Sequence, residues 1–155
     1  MTDLRAALDL MSDYLEQEIA GQSLNPGLDF EDIERAVSIL PFELPMEVYQ
    51  LYMWRNGGSL ESLPYPSFED CEEGYERIHG FLSLNEAVEV ARSWNKGWFP
   101  LFDTDGSIFW IVGCSEREAT APIFINDVDE LPDEPSFESL TDMMNKLIEP
   151  MEDLR

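Results

Sequence analysis

Two apolar runs that flank an Asp-Gly pair constrain the fold of this chain more than any other feature of its sequence. The runs cover residues 98–102 and 107–112 and are rich in aromatic and β-branched side chains, with Asp105-Gly106 lying between them. This pattern predicts a β-hairpin, because the turn requires a positive φ that Gly adopts without steric cost. Pro100 further predicts that the first strand lies at a sheet edge or starts irregularly. The fold must therefore contain an antiparallel hairpin.

The first of three helices predicted ahead of the hairpin is amphipathic. Its apolar residues recur at spacings of three and four, which places them on one helical face: Leu4, Leu8, Met11, Leu15 and Ile19. We expect Thr2 to cap this helix, and Gly21 with Pro26 to end it.

The second and third predicted helices follow closely. Asp29 opens the second helix and Pro41 ends it, and the side chains expected on its apolar stripe are Phe30, Ile33, Val37 and Leu40. Pro45 stands where the third helix begins, a position at which the missing N–H of proline is tolerated. Asn56-Gly57-Gly58 then breaks the helical pattern.

A fourth helix is predicted between an expected strand within residues 75–82 and the hairpin. Ser83 and Glu86 have the spacing of a capping box, in which the two residues satisfy each other's backbone N–H groups at a helix start. Gly97 is a natural end for this helix.

The C-terminal part is predicted to contain one more strand, 121–125, and a last helix that Ser136 caps and Pro150 ends. Helices, a meander of strands with one inserted helix, and a terminal helix packed on them define an α+β fold with an antiparallel (mixed) sheet, not a βαβ repeat. We expect one domain over residues 1–155, with the N-terminal helix in 1–23.

The charge balance excludes several classes of function. The chain of 155 residues has 33 Asp and Glu against 9 Lys and Arg, a net charge of −24. This charge repels nucleic-acid backbones and anionic membranes. Disorder is opposed by the 44% of hydrophobic residues. Since no segment has the pattern of a signal peptide or a membrane span, the expected compartment is the cytoplasm.

Catalytic and cofactor motifs are not found in the sequence, so we expect no cofactor, no metal and no catalytic residue. The single histidine, His79, and the two cysteines, Cys71 and Cys114, are interpreted as structural or surface residues. Asp127, Asp129 and Glu130 follow a predicted strand and leave two interpretations open: a solvated acidic loop, which charge runs usually form, or a Mg²⁺ site. The tryptophans are interpreted as core residues, with an aromatic cage as the alternative.

Three segments in order resemble the SMI1/KNR4 (SUKH) superfamily. Leu44-Pro45 followed by a helix and Asn56-Gly57-Gly58 is similar to the "LP, helix, then NG" element of that superfamily. The run 81–87 (FLSLNEA) is similar to its helix start, and the run 98–101 (WFPL) with Asp105-Gly106 to its hairpin. The resemblance covers residues 24–148. The acidic stretch 61–76 and the first helix are additions to the pattern.

The resemblance implies a binding protein without catalysis. Bacterial members are typically immunity proteins that neutralise a toxin domain, often a nuclease or deaminase, and fungal members are scaffolds in cell-wall signalling. A scaffold therefore stays the first alternative to an immunity protein, and a carboxylate-dependent metal hydrolase the second.

The acidity favours a basic toxin domain as the protein partner, because a nuclease needs a cationic groove that attracts this chain. The alternative is that acidity only serves solubility. We expect the partner to contact carboxylates in two loops, with aromatic residues interleaved among the acids of the first loop: Tyr65, Phe68, Glu69, Asp70, Glu72, Glu73, Tyr75, Asp127, Asp129, Glu130, Asp133 and Glu134. Self-repulsion disfavours a large interface between copies, and the homo-oligomeric state is left open.

Overall fold

A computed structural model describes residues 3–18, 24–59, 80–94, 97–103, 109–114, 120–125 and 134–153. In chain order its elements are α1 (Leu4–Glu18), β1 (Leu24–Pro26), α2 (Phe30–Val37), α3 (Met46–Trp54), β2 (Arg55–Ser59), β3 (Gly80–Phe81), α4 (Leu84–Trp94), β4 (Trp98–Asp103), β5 (Phe109–Gly113), β6 (Ile123–Ile125) and α5 (Leu140–Asp153).

The described strands form one antiparallel sheet in the order β1-β2-β3-β4-β5-β6, so each strand pairs with the next along the chain. The predicted α+β meander with an inserted helix is therefore confirmed. The predicted hairpin is β4 and β5, which pair from Trp98 with Gly113 to Asp103 with Phe109. Its turn, residues 104–108, lies outside the described part of the chain.

Of the two alternatives predicted from Pro100, the structure shows the irregularity. The register of β4 against β5 shifts between Pro100 and Phe102, as expected where a strand contains a residue without an N–H. The edge position is wrong, because β4 lies between β3 and β5. Among the described residues, β3 pairs only with Phe102 and Asp103 of β4, so Pro100 lies beyond the part of β4 that β3 covers.

The core lies between the helices and the sheet. Helix α1 packs on α3 and α5, α2 packs on α3 and α4, and α4 packs on β4. The largest fully buried side chains include Tyr49, Tyr52, Phe99, Phe102 and Trp110. Residues 99–102 of β4 are all buried, so this strand is covered on both faces. Trp110 is a core residue, as predicted.

The predicted starts of α2, α3 and α4 are confirmed. Asp29 and Pro45 occupy the N-cap positions of α2 and α3. The predicted capping box joins Ser83 and Glu86: the Ser83 N–H donates to Glu86 Oε1 over 3.0 Å, and the Glu86 N–H donates to Ser83 Oγ over 3.2 Å. Gly97 has a φ of +74°, as a residue that follows a helix end often does.

Helix α1 buries Leu4, Leu8 and Met11 as predicted. Asp3 caps it, since its Oδ1 accepts the N–H of Ala6 over 2.8 Å. The predicted cap Thr2, the apolar residue Ile19 and the predicted end Gly21 lie outside the described residues.

Strands β1 and β2 were not predicted. Pro26, expected as a helix end, is instead the last residue of β1, the outermost described strand on its side of the sheet, where a proline costs no ladder hydrogen bond. Asn56-Gly57-Gly58 does end α3, but it also forms most of β2. Leu24 pairs with Gly58, and this pairing holds both segments extended.

Both predicted ends of the last helix are wrong. Phe137 forms an isolated antiparallel bridge with Ile123, and the N–H groups of Ser136 and Phe137 both donate to the Ile123 carbonyl, over 2.8 and 3.2 Å. Ser139 is the cap that starts α5 three residues later, with its Oγ accepting the Asp142 N–H over 3.1 Å. The helix continues through Pro150 to Asp153, so Pro150 lies in its last turn, where it removes one N–H donor without ending the helix.

Candidate protein-binding surface

Most of the predicted partner-binding residues lie outside the described part of the chain. This holds for all those in 65–75 and for Asp127, Asp129, Glu130 and Asp133. His79 and Cys71 lie outside it as well. Glu134 is described and is exposed, two residues ahead of Ser136. The described residues therefore do not bring the predicted acidic loops together, and the surface has to be built from other residues.

An acidic patch covers the start of α2. We define the α2 acidic patch as Asp29, Phe30, Glu31 and Asp32, all of which are exposed. The helix itself is held by Ile33 and Val37, which are buried one and two turns further along the same face. Since only this apolar stripe contacts the core, the carboxylates of the patch stay in solvent.

Phe30 gives the patch an aromatic centre. Its side chain is 38% exposed, which corrects the prediction that it belongs to the buried stripe. One face of its ring stacks on buried Tyr49, with centroids 4.9 Å apart and planes at 30°. Met46, which precedes Tyr49 by one helical turn, is 37% exposed. Rigid aromatic residues and methionine are enriched at the centres of protein interfaces.

The charges of the patch are only weakly compensated. Arg35 lies 3.4 Å from Asp32, but these two side chains are 77% and 49% exposed. Exposed pairs of this kind contribute about 0–1 kcal/mol and are screened by salt. Glu31 and Asp32 also stabilise the first turn of α2 through the helix dipole. Acidity at this position thus has a structural benefit besides any role in binding.

The residues of the Asn-Gly motif serve the fold. Asn56 Oδ1 accepts the N–H of Leu84, the first residue of α4, over 2.8 Å, and its carbonyl accepts Asn25 Nδ2 over 3.0 Å. Gly57 has a φ of +85°, and a Cβ there would lie 2.6 Å from the backbone nitrogen of Ser83. Gly57 therefore lets the end of α3 approach the start of α4 more closely than a residue with a side chain at this position would allow.

Glu47 is a buried carboxylate with a structural role. It is 4% exposed, and its two oxygens accept the N–H groups of Leu140 and Thr141 over 3.0 and 2.8 Å. The Thr141 hydroxyl is a further donor to the same carboxylate. These donors lie at the positive end of α5, so Glu47 caps that helix from α3. We call Glu47, Asn56 and Gly57, with the helix starts that they contact, the motif junction.

No group of three or more His, Cys, Asp or Glu side chains in the described ranges has an arrangement that would hold a metal ion. Burial raises the pKa of the Cys114 thiol to about 12, which disfavours the nucleophilic thiolate near neutral pH. Among the described helices, none has the length and apolarity needed to cross a membrane.

Comparison with known proteins gives one family. A model of the SMI1 / KNR4 family (SUKH-1) matches residues 27–146, most of the chain and nearly the range over which the motifs resemble that family. No curated protein matches the sequence significantly. The matched range contains both the motif junction and the α2 acidic patch.

Proposed function

Because the chain belongs to the SMI1/KNR4 family (SUKH-1), we propose that it is an immunity protein that binds and neutralises a basic, nuclease-like toxin domain. The family supports an immunity-type module with a protein partner and, in general, no catalysis. The basic nature of the partner and the blockade by an acidic surface are further steps of the proposal. The observation that carries them is the α2 acidic patch on a chain of net charge −24.

The electrostatic argument has two parts. A nuclease needs a cationic groove to bind phosphates, and a strongly acidic protein is attracted to that groove from a distance. Such steering raises association rates roughly 10–1,000-fold at low salt. Carboxylates then occupy the positions that phosphates would take, and an aromatic anchor supplies the desolvated contact that holds the complex.

The proposed contact surface has a described and an undescribed part. Phe30 is the described anchor, and Glu31 and Asp32 beside it are the described anions. The undescribed part consists of the acidic residues within 65–75 and 127–134, whose carboxylates the proposal adds to the anions that meet the partner. In the first of these stretches, Tyr65, Phe68 and Tyr75 would add anchors like Phe30, since they are interleaved with carboxylates in the sequence.

The test measures neutralisation and association of a basic toxin domain encoded beside the gene for this chain. Glu31→Lys with Asp32→Lys reverses the patch. The control, Glu89→Lys with Glu138→Lys, makes the same change in net charge at exposed positions elsewhere. We expect the double substitution in the patch to slow association at least ~10-fold at low salt. The control double substitution should slow it less than about threefold.

If both double substitutions slowed association equally, a role for the α2 acidic patch would be contradicted, because the total charge alone would then explain the association rate. Binding without loss of toxin activity would contradict neutralisation and would favour the scaffold. Turnover of a phosphate ester or glycoside that is lost in Asp127→Ala would favour the hydrolase.

A further inference from the structure

An open groove of about 450 Å³ lies between α1, the end of α3 and the start of β2. Arg5 and Leu8 line it from α1, Met53 and Trp54 from α3, and Arg55 from β2. We call it the Arg groove. Of the nine Lys and Arg residues in the chain, two face this one groove.

The charges in the Arg groove are not paired with each other. Asp9, one helical turn after Arg5, is a lining carboxylate, so two guanidinium groups face one acid. Neither Arg5 nor Arg55 forms a salt bridge with a carboxylate among the described residues, although Asp32 and Glu89 pair with arginines elsewhere. The groove is therefore a locally cationic site on an acidic protein.

Arg55 is held in place before any ligand binds. Its Nη1 donates to the carbonyl of Trp54 over 2.7 Å, and its Cζ lies 5.5 Å from the centroid of the Trp54 ring. The indole is itself fixed, because Trp54 Nε1 donates to Ser12 Oγ over 2.6 Å. A guanidinium that stacks on a fixed ring has less freedom to lose on binding a carboxylate.

The groove also offers apolar surface next to the arginines. Met53 is 49% exposed, Trp54 is half-buried, and Leu8 is buried beneath them. A methionine side chain adapts its shape to different apolar ligands. A ligand that matches the Arg groove must therefore combine an anionic group with an adjacent apolar group.

We propose that the Arg groove binds an acidic peptide segment of a partner protein. A carboxylate of the segment pairs with Arg55 and Arg5, and a neighbouring apolar side chain packs on Met53 and Trp54. Charge complementarity selects carboxylates, which a planar guanidinium binds through two parallel hydrogen bonds. A small free anion is a poorer ligand, because it makes no apolar contact with Met53 and Trp54 to offset the repulsion that the net charge of −24 exerts on any anion.

Occupation of the Arg groove is independent of the proposed neutralisation, and the two can fail separately. The test is a titration of the ¹⁵N-labelled full chain with N-acetyl-Asp-Leu-Glu-Phe-amide, followed through the Trp54 indole N–H and the Arg55 Nε–H signals. The matched probe is the uncharged peptide N-acetyl-Asn-Leu-Gln-Phe-amide. We expect saturable shifts with the acidic peptide and at least ~10-fold weaker binding of the uncharged one, since charge-assisted hydrogen bonds are about twice as strong as neutral ones.

Arg55→Gln is the variant that probes the groove, and Arg35→Gln is its control with the same charge change on the exposed face of α2. We expect Arg55→Gln to weaken binding of the acidic peptide at least ~10-fold and Arg35→Gln to leave it unchanged. Equal binding of both peptides would overturn the proposal. Shifts of the same signals by inorganic phosphate at equal concentration would also overturn it and would indicate a site for small anions. Shifts caused by dilution of the protein alone would overturn it too and would indicate that a second copy occupies the groove.

Discussion

The motif junction and the α2 acidic patch are built from the same kinds of polar residue but meet opposite demands. In the junction, Glu47 and Asn56 accept backbone N–H groups at the starts of two helices, and Gly57 permits a backbone contact. In the patch, Glu31 and Asp32 point into solvent. The motif residues at the junction are therefore needed by the fold, whereas a binding surface only has to present charge.

The difference explains why the family match identifies a fold and a class of function but no partner. A carboxylate that satisfies two buried N–H groups has one acceptable position, because leaving those groups unpaired is costly. A carboxylate in solvent attracts a cationic partner from many positions. Substitutions should therefore change folding stability at the junction and association at the patch, and each prediction below tests one side of this separation.

The largest loss of folding stability is expected for Gly57→Ala. The new Cβ would lie 2.6 Å from the Ser83 nitrogen, at a φ of +85° that L-residues rarely adopt. We expect a loss of about 3–5 kcal/mol in the free energy of unfolding, measured by urea denaturation. Gly97→Ala is the control, since Gly97 also has a positive φ but its Cβ would meet a milder contact, one carbonyl oxygen of Cys114 at 3.0 Å. Equal losses would mean that strain of the backbone, and not the contact at the junction, explains the requirement for Gly57.

Glu47→Ala is expected to cost about 2–4 kcal/mol, because it leaves the N–H groups of Leu140 and Thr141 unpaired at the start of α5. Glu47→Gln keeps one acceptor oxygen and should cost less. Hydrogen exchange should locate the loss in α5, with faster exchange at its first turn. A loss no greater than that of Glu31→Ala would contradict a capping role for Glu47.

Tyr52 makes the stability of the junction region depend on pH. Its hydroxyl donates to the carbonyl of Leu82 over 2.9 Å, and burial, with a smaller effect of the Glu86 charge, raises the pKa of this phenol far above its ordinary value of 10.0. Above about pH 10 the unfolded chain loses this proton while the folded chain keeps it. Stability therefore falls as the pH rises, by up to about 1.4 kcal/mol per pH unit from this group.

The measurement for Tyr52 compares the unfolding free energy of the wild type and Tyr52→Phe between pH 9 and 11. The variant should be less stable at pH 9, by about 1 kcal/mol for the lost hydrogen bond, and should show a shallower decline. Parallel declines would show that Tyr52 ionises as readily in the folded protein as in the unfolded chain.

Asn56→Ala is expected to cost about 1 kcal/mol, the usual effect of removing a side-chain cap from a helix start. Asn56→Asp keeps an oxygen acceptor for the Leu84 N–H and places a negative charge at the N-terminus of α4, so it should be close to the wild type. The midpoint of urea unfolding checks both variants. If Asn56→Asp lost as much as Asn56→Ala, the amide nitrogen and not the cap would be the important group.

Sequence reasoning predicted the elements whose patterns are local. The hairpin of β4 and β5, the capping box of Ser83 and Glu86, and the starts of α2 and α3 all follow from neighbouring residues. Strands β1 and β2 and the late start of α5 depend on distant partners. Leu24 is extended because it pairs with Gly58, and Phe137 because it pairs with Ile123.

The same limit applies to the candidate site. Nothing near Glu47 in the sequence indicates a helix start 93 residues away. Phe30 fits the apolar stripe of α2 by spacing, but it lies in the first turn, where only one face of its ring meets Tyr49. Its exposure could be known only from the packing of α2 on α3. The acidic loops within 65–75 and 127–134 stay a prediction.

The smallest effect on stability is expected in the patch, from Glu31→Gln. This substitution removes one exposed charge from the first turn of α2 and should cost about 0.5 kcal/mol or less, most of it from the helix dipole. Glu138→Gln, at an exposed position with no ion pair among the described residues, is the control for the loss of a surface charge, and urea denaturation at low and high salt measures both. A cost for Glu31→Gln equal to that of Asn56→Ala would make the patch part of the scaffold. In that case the α2 acidic patch would contribute to folding as much as the motif junction does, and the two regions would not differ in the way proposed.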